Sequence, residues 1–314
     1  IDTTVSYPQG TMPLRHVLKF TMVGQRTELV DEAIENERPS LAASDYYYHY
    51  QGGHPVLNVK PDESIGGRYR GLRNQDLAVD QSVLSQRKDP DQYAEVTYLG
   101  REYAKIKLFR EWNLGRNSQP RKPQLTDLPA DFLSEDAANI ALVLNDLEHR
   151  PNLRTSLVEH LREADESIMD FSMRVQGGTI QLNLQYSGLK APIPATRLSD
   201  GTIRYLCLLT VLCHPEPPPL VCLEEPELGL HPDLLPRLAD LLIEASHRMQ
   251  LIVTTHSDVL VDGLTKVPEA VIVCEKQNGS TKMNRLTSGD LAVWLKDYGL
   301  GQLWRRGEIG GNRW

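Results

Sequence analysis

The run LVCLEEPELGLHP, residues 220–232, constrains this chain more than any other stretch. Four apolar residues, Leu220 to Leu223, lead straight into Glu224 and Glu225 and stop at Pro226. Coming after the breaker HPEPPP, so short an apolar run reads as a buried strand. The next segment, DLLPRLADLLIEASHR, places Leu234, Leu238, Leu241, Leu242 and Ala245 on one side of a helix. LIVTTHS follows as a second buried strand. Strand, helix, strand at this spacing is a parallel crossover, and its two strands end at one edge of the sheet, where open α/β sheets hold their ligands. Glu224 and Glu225 then share an edge with Thr255, His256 and Ser257.

At 314 residues, 40% hydrophobic and 24% charged, the chain is of an ordinary globular kind with room for one large domain or two small ones. No apolar run approaches a membrane span, and IDTTVSYPQG lacks the charged start and apolar middle of a signal peptide. A cytoplasmic protein without a membrane partner is expected. Cys207, Cys213, Cys222 and Cys274 stand among apolar neighbours without metal-ligand spacing and read as reduced core residues. A net charge of −8 argues against a surface wholly coated by nucleic acid.

Three regions are expected. Residues 1–60 alternate polar and apolar, as in RHVLKFTMV, and read as antiparallel strands; SDYYYHY belongs to that pattern rather than to a base-stacking platform. Residues 61–197 form a basic, loop-rich and helical lobe, with helices near 134–149 and 155–167 and a hairpin around Gly177 and Gly178. Residues 198–314 carry the crossover and, before it, IRYLCLLTVLC, apolar nearly all round and so a buried helix. Between Lys60 and Gln124 there are 13 Lys and Arg against 9 Asp and Glu; from 201 to 260 there are 3 against 8. The stretch from Arg68 to Lys122 is therefore the candidate DNA surface, with a solvated face as the plain alternative.

Adjacent acids at a strand end suit a magnesium nucleotide. One carboxylate can hold Mg²⁺, and the other can orient and deprotonate the attacking water. A histidine at the neighbouring strand end can bond the terminal phosphate or the water. LSDGT, Leu198 to Thr202, stands just before the buried helix, so Ser199 and the backbone around Gly201 form an anion site or, more plainly, a helix cap.

In order, LSDGT, LVCLEEP, ELGLHP and TTHS resemble the signature, second nucleotide motif, D-loop and switch-histidine loop of ATP-binding-cassette ATPases, in the branch of RecF, SMC and OLD-family heads. The likeness covers about residues 195–314, and the chain looks most like stand-alone ATPases of the AAA_21 type. It implies an α/β head: a mainly parallel sheet flanked by helices, an antiparallel β subdomain and a helical lobe. It implies ATP and Mg²⁺ as cofactors, Glu225 as catalytic base, His256 as switch histidine and Glu224 on the metal side, where the family more often has Asp. Ser199, Gly201 and Thr202 would touch the terminal phosphate of the opposite subunit, in a head-to-tail homodimer lined by Leu228, Gly229 and His231. Gln86 is the choice for a magnesium-sensing glutamine.

The family's phosphate loop, G-x-x-x-x-G-K-[ST], is not among these residues, and the expectation is that it lies upstream. The function implied is ATP hydrolysis coupled to DNA or to a separately encoded effector such as a nuclease, in repair or anti-phage defence. A non-hydrolysing nucleotide-binding scaffold is the alternative. Trp304 and Trp314 in the tail either dock a partner or pack on the chain's own sheet.

Overall fold

The computed structural model describes residues 1–38, 46–58, 69–71, 77–78 and 80–311. The chain divides into two compact units, 1–105 and 106–314.

In the first unit six antiparallel strands lie side by side in chain order: β1 (Asp2–Val5), β2 (Leu14–Val23), β3 (Arg26–Asn36), β4 (Tyr46–Gln51), β5 (His54–Asn58) and β6 (Tyr69–Gly71). Two helices follow, α1 (Val83–Gln86) and α2 (Ala94–Ala104). Alternation sends Leu14, Ile34, Tyr48 and Leu57 to one face, where they pack with Val96 and Leu99 of α2. Tyr48 is thus a core residue, and the tyrosine run behaves as a strand; Ser44 and Asp45 lie outside the described residues. Glu32 is fully buried on the same face. A buried carboxylate needs partners, and Glu32 accepts from His16 Nε2 and the Val83 amide, each at 3.0 Å, and from the Ser82 hydroxyl. These bonds tie α1 to the sheet.

The second unit holds a three-stranded parallel sheet ordered β13 (Gln250–Thr254), β12 (Leu220–Glu224) and β7 (Lys107–Phe109). β12 and β13 are joined by the crossover helix α6 (Leu235–Ser246). An antiparallel sheet runs β11 (Ile193–Pro194), β10 (Thr179–Tyr186), β8 (Gln124–Leu125), with β9 (Ile168–Gln176) also on β10. The β9–β10 turn is Gly177–Gly178, with φ of 57° and 74°, the left-handed pair that a two-residue hairpin requires. Helices α3 (Ile140–Glu148), α4 (Pro151–Ala164) and α5 (Asp200–Leu212) complete the main core. Beyond it come α7 (Asp258–Gly263), the hairpin β14 (Ile272–Gln277) and β15 (Ser280–Arg285), α8 (Ser288–Leu291) and α9 (Leu300–Arg306).

Every residue of α5 from Tyr205 to Leu212 is buried. Truncating one of its leucines to Ala would cost about 2–5 kcal/mol. Val221 and Leu223 of β12 enter the same core. The other face of the parallel sheet is open: Leu108, Cys222 and Ile252 are in register across β7, β12 and β13, with Leu108 38% and Ile252 50% exposed. Parallel sheets are ordinarily covered on both faces.

The expected parallel sheet is present with three strands, and the other sheets among the described residues are antiparallel. The boundary between the two units falls after Lys105, because α2 packs on the first sheet while β7 pairs with β12. Three expectations need correction. The helix near 134–149 begins at Ile140: Ala137 has φ of 56°, and the Asn139 side chain bonds the preceding turn at Ser134, Pro129 and Phe132. The next helix spans 151–164, ending before an Asp165 turn that leads into β9. Cys207 is buried, but Cys274 is exposed on the outer face of β14.

Candidate functional site

β12 and β13 run in register, Glu224 opposite Thr254, so both strands end at one edge as the crossover requires. Glu224 is exposed there. Glu225 turns away from the strand with φ of 43°, a left-handed conformation uncommon for a residue with a Cβ. Two bonds hold that turn: the Glu225 amide donates to Thr254 O at 2.9 Å, and the Leu228 amide donates to Glu225 O at 3.1 Å. The turn brings Glu225 Oε1 to 3.5 Å from His256 Nε2, with the glutamate side chain 31% and the imidazole 60% exposed. Glu225 and His256 therefore meet at the end of the sheet, open to solvent.

Glu227 was not singled out from the sequence, yet it ties the two strand ends together. Its Oε1 accepts from the Thr255 hydroxyl and, at 3.1 Å, from the His256 amide; its Oε2 is buried without a hydrogen-bond partner. Ser257 of the same loop caps α7, accepting from the Leu260 amide at 3.2 Å.

At the start of α5, Ser199 is the N-cap: Oγ accepts from the Thr202 amide at 3.0 Å and lies 2.7 Å from Thr202 Oγ1. Capping is thus real, and it leaves the first turn of a well-buried helix exposed at its positive end. Gly201 lies against the loop after Glu225: a Cβ there would meet Gly229 O at 3.0 Å. Gly229 itself has φ of 74°, and a Cβ on it would sit 3.6 Å from Arg204 Nε. Burial pushes the Arg204 guanidinium below its ordinary value, and the group lies over the Trp112 ring at 5.9 Å. Leu228 is 50% exposed, and His231 is exposed at the start of a 3₁₀ turn, Nδ1 accepting from the Asp233 amide at 3.3 Å.

The structure therefore gathers Glu224, Glu225 and His256 at one sheet edge, and it sets Ser199, Gly201 and Thr202 together at the start of α5, with Gly201 against Gly229. Gln86 belongs to α1 of the first unit, where its amide is engaged locally: Oε1 accepts from the Ala78 amide at 2.7 Å, and Nε2 donates to Gln81 O at 2.8 Å. Of the basic stretch, 68–76 and 79 lack a described side chain or lie outside the described residues, and Arg121 is buried. Trp304 is half-buried, donating to Gly311 O at 3.4 Å; Trp314 lies outside the described residues.

Among the described residues no three His, Cys, Asp or Glu side chains converge as a metal cage. Mg²⁺ is ordinarily held by one or two carboxylates with substrate phosphates. The exposed Glu224 and its neighbour fit that donor set, while the lysine and glycines that would cradle the phosphates are not in these 314 residues.

Residues 68–262 match the family model AAA_21, described as "AAA domain, putative AbiEii toxin, Type IV TA system". The chain belongs to this family. The matched span ends within α7, so it takes in the signature-like turn, both strand ends and the histidine loop of this AAA_21 chain. No curated protein matches it. Among solved structures it is similar to an SMC head bound to the C-winged helix domain of ScpA, at 13% identity over 90% of this chain and 77% of that one, with a TM-score of 0.46. The SMC head domain from Thermotoga maritima matches at 12% identity over 90% and 78%, with a TM-score of 0.36. A chain from work on "ATP-driven dimerization and DNA stimulated activation of SMC ATPases" matches at 18% identity over 50% and 96%, with a TM-score of 0.37. Among the described residues no helix is long and apolar enough to cross a membrane.

Proposed function

We propose that this AAA-type chain hydrolyses ATP as a head-to-tail dimer, with Glu225 as the base and His256 as the group that senses the terminal phosphate. The meeting of Glu225 and His256 at the ends of adjacent parallel strands carries the reading. Glu225 Oε1 would take the proton of the attacking water, and His256 Nε2 would donate to the phosphate or hold that water. Glu224 would hold Mg²⁺, which when bound neutralises charge on the phosphates. The exposed start of α5 would bind the terminal phosphate of the partner's nucleotide. Leu228, Gly229 and His231, on an exposed loop against that helix, would line the dimer interface.

This reading calls for a phosphate cradle, whose G-x-x-x-x-G-K-[ST] run is not among these 314 residues. Coupling to DNA or to a separately encoded nuclease is a further part of the proposal. A DNA surface would rest on the exposed Arg110, Arg116 and Lys122, since Arg121 is buried, and such binding would weaken steeply with salt.

The test is light scattering of the full-length protein with and without ATP, beside its Glu225→Gln variant. An ATP-dependent dimer that persists in the variant supports the reading. Failure of both proteins to associate moves the assignment to a non-hydrolysing scaffold.

A further inference from the structure

Arg121 closes a 3₁₀ turn in a stretch that the sequence presents as a solvated basic loop, yet it is 4% exposed. Its guanidinium reaches 74 to 79 residues along the chain. Nε donates to Leu114 O at 2.7 Å, and Nη1 donates to Ala195 O at 3.2 Å and to Leu198 O at 2.6 Å. Nη2 donates to the carboxylate of Asp200. Ala195 and Leu198 bracket the turn that delivers the chain to Ser199, and Asp200 is the first residue of α5. One buried side chain thus fixes the approach to the helix and holds its first carboxylate.

That carboxylate poses a problem for the site. It is 70% exposed, at the helix end to which a terminal phosphate would come. Negative charge there stabilises the isolated helix but repels a second anion. The arginine fork removes the conflict, because it draws the carboxylate toward Arg121 and neutralises it while the carbonyl bonds hold the turn in place.

We propose that Arg121 is a positioning residue of the phosphate-sensing turn, which it keeps receptive to an anion by neutralising Asp200. This rests on the reading of the α5 start as the site of the partner's terminal phosphate. Arg121 acts through Asp200 and the turn that leads to Ser199.

The experiment uses the full-length protein carrying Glu225→Gln, in which ATP-driven dimerisation is followed by light scattering against ATP concentration. Arg121→Met, alone and with Asp200→Asn, is compared with Asp200→Asn by itself. The single Arg121→Met change should raise the half-maximal ATP concentration at least about tenfold, as loss of one partner of a fixed charge pair does. Adding Asp200→Asn should recover most of that rise, because the repelling charge is gone. A purely structural role predicts no recovery. Unchanged association in Arg121→Met, or no recovery in the double variant, overturns the inference. If Arg121→Met does not fold, Asp200→Asn alone decides: association as tight as the parent or tighter supports the proposal, and a tenfold weakening overturns it. No ATP-driven dimer in the parent would instead sink the ATPase reading itself, and this inference with it.

Discussion

Glu227 Oε1 accepts the backbone N–H of His256 at 3.1 Å, so the loop that follows one strand of the parallel sheet is anchored to the loop that follows its neighbour. The same oxygen accepts from the Thr255 hydroxyl. In the proposed ATPase this carboxylate would fix the His256 backbone relative to Glu225.

Glu227→Ala should therefore act on both stability and turnover. Hydrogen bonds to a charged group are worth about 1.5–3 kcal/mol, so a loss of that order is expected in denaturant unfolding. Turnover should fall at least about tenfold, the rate equivalent of 1.4 kcal/mol. Glu227→Gln, which keeps the acceptor, should fall between the parent and the alanine variant. Hydrolysis at the parental rate in Glu227→Ala would show that the anchor is dispensable.

Gly201→Ala separates folding from assembly. Within a helix Ala is favoured over Gly by up to about 1 kcal/mol, but the added methyl would meet Gly229 O at 3.0 Å. The loop carrying Gly229 must give way. Thermal stability should stay close to the parent while ATP-driven dimerisation weakens; light scattering beside a melting curve checks both, and a fully competent dimer would contradict the assignment of that loop to the interface.

Leu228→Asp tests the same surface from outside. Leu228 is 50% exposed, so the change should alter stability by no more than about 0.5 kcal/mol. Association in ATP should be lost, since a charge is placed where an apolar contact is expected. Sedimentation at several protein concentrations reads the outcome.

The parallel crossover, the buried helix α5 and the glycine hairpin were legible because each rests on periodicity or on a turn that only glycine serves. Glu225 and His256 were legible for a related reason: strand direction alone dictates where β12 and β13 end. Arg121 and Glu227 were not, because their partners stand 74 to 79 and 28 to 29 residues away, and no local pattern encodes such contacts. The start of α3 was misplaced because apolar spacing continues through a turn that the Asn139 side chain stabilises.

His214 gives a pH signature independent of the site. Burial holds the His214 pKa below the ordinary 6.5, its ring centre 5.0 Å from that of Phe132 in a T-shaped arrangement. The folded state thus binds this proton less readily than the unfolded chain. The contribution to stability is fully present above pH 6.5 and is lost as pH falls through the lower folded value. Unfolding followed between about pH 7.5 and 5 should show a steeper acid loss for the parent than for His214→Asn, which retains an acceptor for the Glu216 amide. Equal slopes would rule out this group.

The central claim is that Glu225 is the base of an ATPase, and steady-state ATP hydrolysis by the full-length protein beside Glu225→Gln tests it most directly. The account predicts turnover in the parent, and in the variant no measurable phosphate release despite retained ATP binding. Hydrolysis at the parental rate in Glu225→Gln would place the base elsewhere and contradict the account.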